Sequence, residues 1–267
     1  HAGYEGGAAY LVQTNLIGTF NILEYARKHK SAMIFLSTSR VYPIASLRAL
    51  PLQIQQDRLG MGEESGTGWS RHGITEQFPL EGARSLYGAT KLASELLIEE
   101  YREMYGLKAV INRCGVLTGP WQMGKVDQGF VVLWAARHFF GGSLSYSGFG
   151  GEGRQVRDIL HILDLYDLIR MQMDRPLNRL LYHAGGGLNC SISLREATLH
   201  CQQRAGREVP IGRMIETRAA DIPWYITDHS RITEETGWKP TRTVSMIFDD
   251  IFQWLSENEA QLKPFFS

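Results

Sequence analysis

Cysteine is scarce in this chain of 267 residues: Cys114, Cys190 and Cys201 are odd in number and lack metal-ligand or dithiol spacing. That excludes a disulfide scaffold and leads us to expect a reduced, cytoplasmic protein. Neither sign of charge is in excess. The 28 basic side chains balance 28 acidic ones, which removes the electrostatic case for nucleic acid or an anionic membrane as partner. No apolar run approaches the ~18 residues of a membrane span, and no cluster of histidine, cysteine and carboxylate argues for a metal.

What is present is the rhythm of an α/β protein. Over residues 8–30, Leu11, Thr14-Asn15, Gly18, Ile22 and Tyr25-Ala26 recur at helical spacing. Residues 32–36 and 108–114 read as short strands buried on both faces of a parallel sheet, with a helix over 86–105 between them that stops at Gly106. The stretch 43–84 is polar and turn-rich, and is expected to be a long loop, functional or mobile. Beyond Pro120 the elements shorten, with helices expected over 130–139, 164–173, 193–204 and 244–258 and extended segments over 144–146 and 155–162. Helix–strand–helix–strand order is half of a doubly wound fold. The expected class is therefore an incomplete doubly wound, Rossmann-like parallel sheet (1–120) with a smaller C-terminal α/β domain (121–267).

Ser37-Thr38-Ser39 closes the first strand, where α/β sheets place their chemistry. Tyr87 and Lys91, four residues apart, open the next helix and share one of its faces. A Tyr-x-x-x-Lys spacing alone is a weak signal, since both residues are common on helices; the preceding strand and its hydroxyls give it context. Together, Phe35-Leu36-Ser37-Thr38-Ser39-Arg40-Val41-Tyr42 and Ser85-Leu86-Tyr87-Gly88-Ala89-Thr90-Lys91 resemble the centre of the extended short-chain dehydrogenase/reductases, the nucleotide-sugar epimerase and dehydratase family. The likeness runs from about Glu24 to Trp254. Through Gly82-Ala83-Arg84, Asp127-Gln128-Gly129-Phe130 and the stretch from Gly153 to His161, it is most similar to the CDP-tyvelose (CDP-paratose 2-) epimerase branch.

The resemblance implies NAD as cofactor and a nucleotide-diphosphate sugar as ligand. It makes Tyr87 the group that takes a proton from a sugar hydroxyl, Thr38 the residue that holds the same oxygen, and Lys91 the contact to the nicotinamide ribose. Ser37 would join Tyr87 and Lys91 in binding the cofactor. Ser39 and Arg40 would face the substrate, and Arg157 and Arg218 would grip its diphosphate, for which guanidinium forks are suited. The bland alternative for these two arginines is surface pairing with Asp158 and Asp221. Tyrosine ordinarily titrates near 10, so a neighbouring Lys91 ammonium is expected to lower the Tyr87 phenol. Relatives that dehydrate carry an Asp-Glu pair after the threonine. Ser39 and Arg40 stand there, and arginine cannot act as a base, so epimerisation is the expected chemistry. Val116 departs from the asparagine many relatives place before their Tyr-Gly-Pro turn.

Nothing before Thr38 reads as the strand, glycine loop and helix that hold a dinucleotide in this family, so weak NAD binding is expected. A truncated, non-catalytic nucleotide-sugar binder, or a chain that only self-associates, is the rival reading. Gly148-Phe149-Gly150-Gly151-Glu152-Gly153 fits a dinucleotide loop by spacing, but the residues after it alternate like a strand, so a turn is expected. His161 reads as a core histidine. With strands missing from one edge of the sheet, a homo-oligomer is expected in which 8–30 or 43–84 moves over that edge.

Overall fold

A computed structural model describes residues 7–125, 128–174 and 179–266; Asp127 of the matching stretch Asp127 to Phe130 lies outside them. The chain opens with α1 (Ala8–Leu11), a π-helical turn (Val12–Ile17) and α2 (Gly18–His29), followed by β1 (Met33–Thr38) and a 3-10 turn (Ser39–Val41). Next come α3 (Ile44–Arg48), the short strands β2 (Leu52–Gln55), β3 (Arg58–Met61), β4 (Trp69–Ser70) and β5 (Gly73–Ile74), and the long α4 (Leu86–Tyr105). Then follow β6 (Ala109–Cys114), β7 (Val116–Thr118), α5 (Phe130–Phe140), β8 (Leu144–Ser147), β9 (Val156–His161), α6 (Ile162–Asp174) and β10 (Leu181–Ala184). The last elements are β11 (Ser191–Ser193), α7 (Leu194–Ala205), β12 (Ile211–Met214), β13 (Trp224–Tyr225), α8 (Ser230–Thr236), α9 (Val244–Glu257) and α10 (Glu259–Phe266).

The first sheet is parallel, in the order β1-β6-β10. Helices α2 and α4 cover one face, where Leu23, Ala26 and Ile98 pack on Phe35 and Ile111; Leu165, Leu168 and Ile232 pack with Val110 and Tyr182 in a separate cluster. A second sheet strings β11, β9 and β13 together, with β7 also on β9. Because β10 returns to the first sheet from beyond β9, a division at residue 120 does not follow the hydrogen bonding. The largest core lies among α5, α7, α9 and α10. There α9 turns Ile247, Phe248, Ile251, Trp254 and Leu255 inward at helical spacing.

The stretch 43–84 is not a featureless loop. It holds α3 and two hairpins, β2–β3 and β4–β5, and its ends meet where the Ile44 amide donates to the Ala83 carbonyl at 3.0 Å. It packs on the C-terminal lobe: Leu59 N–H donates to Arg154 O at 2.8 Å and Ile74 N–H to Ile226 O at 2.7 Å. Gly73, at φ +135, permits the latter contact, because a Cβ there would stand 2.6 Å from Ile226 O. The segment is therefore a bridge between lobes. Among the described residues neither it nor the 8–30 helices adds a strand to the outer edge of β1, where Leu36 remains 38% exposed. Those helices pack on α4 through the π turn instead. Asn15 Nδ2 donates to Thr90 Oγ1 at 3.0 Å, while Asn15 O accepts from Thr19 and Ser94 hydroxyls.

Candidate active site

Strand β1 ends in Thr38, and the 3-10 turn that follows brings Arg40 back beneath the start of α4. Ser85 caps that helix by accepting the Gly88 amide at 3.2 Å. A Cβ on Gly88 would stand 2.1 Å from Arg40 O, so only glycine lets α4 settle on the turn. The contact sets Tyr87 over the end of β1, where the Thr38 hydroxyl acts on its phenol. The Arg40 amide donates to Thr38 Oγ1 at 3.2 Å. Sequence spacing predicts this pair at one strand end and helix start, and the two stand on β1 and α4 there.

Lys91 takes another direction. Its ammonium donates to Leu36 O at 2.6 Å and lies 3.9 Å from the centre of the Phe35 ring, and burial lowers its pKa. Lys91 therefore does not lower the Tyr87 phenol. Burial raises that phenol above the ordinary 10, while the Thr38 hydroxyl and the Arg40 charge act in the opposite sense. The cation that acts on Tyr87 is thus Arg40, because Lys91, one turn further on, reaches a carbonyl of the outer strand.

Ser37 also turns away from the cleft. Its hydroxyl donates to the buried Glu95 carboxylate, which takes a fork from Arg113 (Nη2 to Oε2 2.6 Å, Nε to Oε1 3.1 Å). Arg113 Nη1 donates to Tyr42 Oη at 2.9 Å, Tyr42 Oη lies 2.5 Å from His183 Nε2, and His183 Nδ1 lies 3.0 Å from Ile74 O. One proton arrangement satisfies the whole chain: Nδ1–H donates to Ile74 O, and Nε2 accepts from Tyr42. Burial, reinforced by the Arg113 charge, holds His183 down to about 3, so it is neutral in the fold. Burial works against the Arg113 charge, but Tyr42 and Glu95 more than offset it and raise its pKa. This network ties β1, α4, β6 and β10 to the 43–84 bridge. No spacing rule announces it, since its members are scattered from Ser37 to His183.

Arg40 Nη1 donates to Ala220 O at 2.8 Å, and Arg157 donates to Val156 O at 2.7 Å and to Ile222 O at 2.6 Å. Ser39, Arg40, Ser85, Ala220 and Ile222 line one small recess. Burial and the like charge of Arg40 bring the Arg157 pKa down to about 9, with Asp221 and Asp158 acting against them. Asp158 itself is buried on the other side of the strand, where it accepts the Gly186 amide at 2.8 Å; burial pushes it up to about 6. Arg218 is exposed, and its carbonyl accepts from Arg48 Nη2 at 2.8 Å. His161 is buried, as expected, with Nδ1 accepting the Leu163 amide at 3.1 Å. The Gly148–Gly153 stretch is the turn between β8 and β9, with Gly148, Gly150, Gly151 and Gly153 all at positive φ.

Among the described residues no helix is long and apolar enough to cross a membrane, and no group of three or more acidic, histidine or cysteine side chains is arranged to hold a metal. The chain is 24% identical over 251 residues to the CDP-paratose 2-epimerase of Salmonella typhi, covering 91% of this chain and 71% of that protein. It is 28% identical over 232 residues to a dTDP-glucose 4,6-dehydratase of an Actinoplanes species, covering 86% of this chain and 62% of the relative. Among solved structures, DesIV, a dTDP-glucose 4,6-dehydratase from Streptomyces venezuelae with NAD and TYD bound, superposes with a TM-score of 0.73 at 26% identity, over 97% of this chain and 70% of that one. The Thermotoga maritima UDP-glucose 4-epimerase shares the fold at a TM-score of 0.73 and 20% identity, over 94% and 72% of the two chains. The model of the NAD-dependent epimerase/dehydratase family matches residues 4–182, and the chain belongs to that family.

Proposed function

We propose that this chain is the catalytic and substrate-binding part of an epimerase of nucleotide-diphosphate sugars, which oxidises a sugar hydroxyl transiently and returns the hydride to the opposite face. The placement of Thr38 and Tyr87 at one strand end, near the guanidiniums of Arg40 and Arg157, carries this reading. Thr38 holds the substrate oxygen and Tyr87 takes its proton. Arg40 helps to hold negative charge on the phenol. Arg40 and Arg157 repel one another, and a diphosphate between them relieves that repulsion. Ser39 lines the recess on the sugar side, and Arg218 reaches the ligand from the exposed turn.

NAD supplies hydride acceptance and return. The residues at hand fit its nicotinamide end, because Tyr87 and Thr38 stand at the strand terminus and Lys91 lies along the open side of β1. Epimerisation is favoured over dehydration because a hydroxyl and a guanidinium follow Thr38, and neither shuttles a proton as a carboxyl pair does. The docking of Lys91 on Leu36 O favours a second reading, a nucleotide-sugar-binding module without turnover. We also propose self-association through the exposed apolar side chains of α2 and α4, among them Ile22, Tyr25 and Leu96, and a cytoplasmic location, in keeping with three buried free cysteines.

Calorimetric titration with CDP and UDP tests the ligand class. The expected result is saturable binding by the wild type and a loss of about tenfold or more in Arg157→Ala, on the scale of a charge-assisted hydrogen bond. Equal affinities for the two proteins contradict the diphosphate assignment.

A further inference from the structure

Five consecutive backbone carbonyls, from Arg218 to Ile222, each accept a hydrogen bond from a guanidinium. Arg48 takes three of them, with Nε to Asp221 O at 2.9 Å and Nη2 to Arg218 O at 2.8 Å and Ala219 O at 3.1 Å. Arg40 takes Ala220 O at 2.8 Å and Arg157 takes Ile222 O at 2.6 Å. The Arg218 carbonyl also accepts the Asp221 amide at 3.1 Å, so the segment is a closed turn. Carbonyl dipoles that converge on one side of a turn repel one another unless a cation sits among them. Arg48 is that cation for three of the five. It ends α3 within the 43–84 bridge, so it ties the turn to a part of the molecule outside the chemical centre.

We propose that Arg48 is a positioning residue for the diphosphate site. It fixes the Arg218–Asp221 turn, so that Arg40 and Arg157, anchored on the adjoining carbonyls, present their remaining donors in one fixed geometry. The proposal rests on the diphosphate reading above. It needs a fork: Nε and Nη2 point to carbonyls three residues apart, whereas a lysine ammonium offers its donors from a single atom.

The test is calorimetric titration of the wild type, Arg48→Ala, Arg48→Lys and Arg157→Ala with CDP and with CMP, alongside hydrogen exchange of the amides in 218–222. The expected result is a loss of about tenfold in CDP affinity for both Arg48 variants, a smaller loss for CMP, faster exchange in the turn and an unchanged thermal midpoint. If Arg48→Lys binds CDP as the wild type does, charge alone is at work and the positioning role is overturned. If Arg48→Ala binds normally while Arg157→Ala does not, the inference fails and the diphosphate reading stands. If Arg157→Ala binds normally, it is the diphosphate reading that fails; the exchange of 218–222 in Arg48→Ala then still decides whether Arg48 holds the turn, and unchanged exchange overturns that too.

Discussion

Tyr87 is the residue whose surroundings most directly limit the chemistry. In the protein without ligands its phenol is raised by burial, and the charge that opposes this belongs to Arg40. An ultraviolet pH titration, taken as the difference between wild type and Tyr87→Phe, should therefore show this phenol ionising above 10. An ionisation near neutrality would mean that Lys91 acts on it after all. Gly88 limits the same site sterically. Gly88→Ala forces a Cβ against Arg40 O, where it would stand 2.1 Å away. The 3-10 turn and the α4 terminus must then part, and the expected cost is about 1–3 kcal/mol, read by urea unfolding. A stability equal to wild type would show that the contact is not held.

At the level of elements, the Ser37–Glu95–Arg113–Tyr42–His183 chain locks the first sheet to the 43–84 bridge. Arg113 and Glu95 are 3% and 6% exposed as side chains. Glu95→Ala leaves the guanidinium buried without its counter-charge, and should destabilise by about 3–5 kcal/mol in urea unfolding; a change under about 1 kcal/mol would contradict the network. Much of the elemental plan was legible in the sequence. The apolar runs around Phe35 and Val110, the Ser85 start and the Gly106 stop of α4 each follow from local propensity and pattern. What was not legible was non-local. β10 is a short strand whose partner β6 lies some way back in the chain, and β13 is two residues long. The hairpins of the bridge form because backbone groups of the other lobe accept them, which no composition of the segment announces. Likewise Tyr87 and Thr38 were readable from a strand end and a helix start. The turning of Ser37 towards Glu95, and of Lys91 towards the strand, depends on contacts between distant segments.

For the molecule as a whole, the buried neutral His183 ties stability to pH. Its folded value, about 3, lies below the ordinary 6.5, so its contribution is complete above 6.5 and is lost as pH falls towards 3. The full loss is on the order of 5 kcal/mol. Asp158 acts in the opposite sense. Raised to about 6 by burial, it favours the fold below its ordinary 3.8 and loses that contribution as pH rises through 6. The net acid dependence is therefore shallower than His183 alone would give. His183→Gln should flatten the fall in urea midpoint between pH 6.5 and pH 4 relative to wild type, and an unchanged slope would show that the imidazole is not buried neutral.

The proposed function is tested most directly by identifying the product when the protein is incubated with NAD and CDP-, UDP- and dTDP-linked sugars and followed by nuclear magnetic resonance. The expected outcome is one sugar carbon inverted, no water lost, no accumulation of reduced cofactor, and turnover at least about 100-fold lower in Tyr87→Phe, the scale of a lost general acid–base group. A dehydrated keto-sugar, or epimerisation that survives Tyr87→Phe, would contradict it.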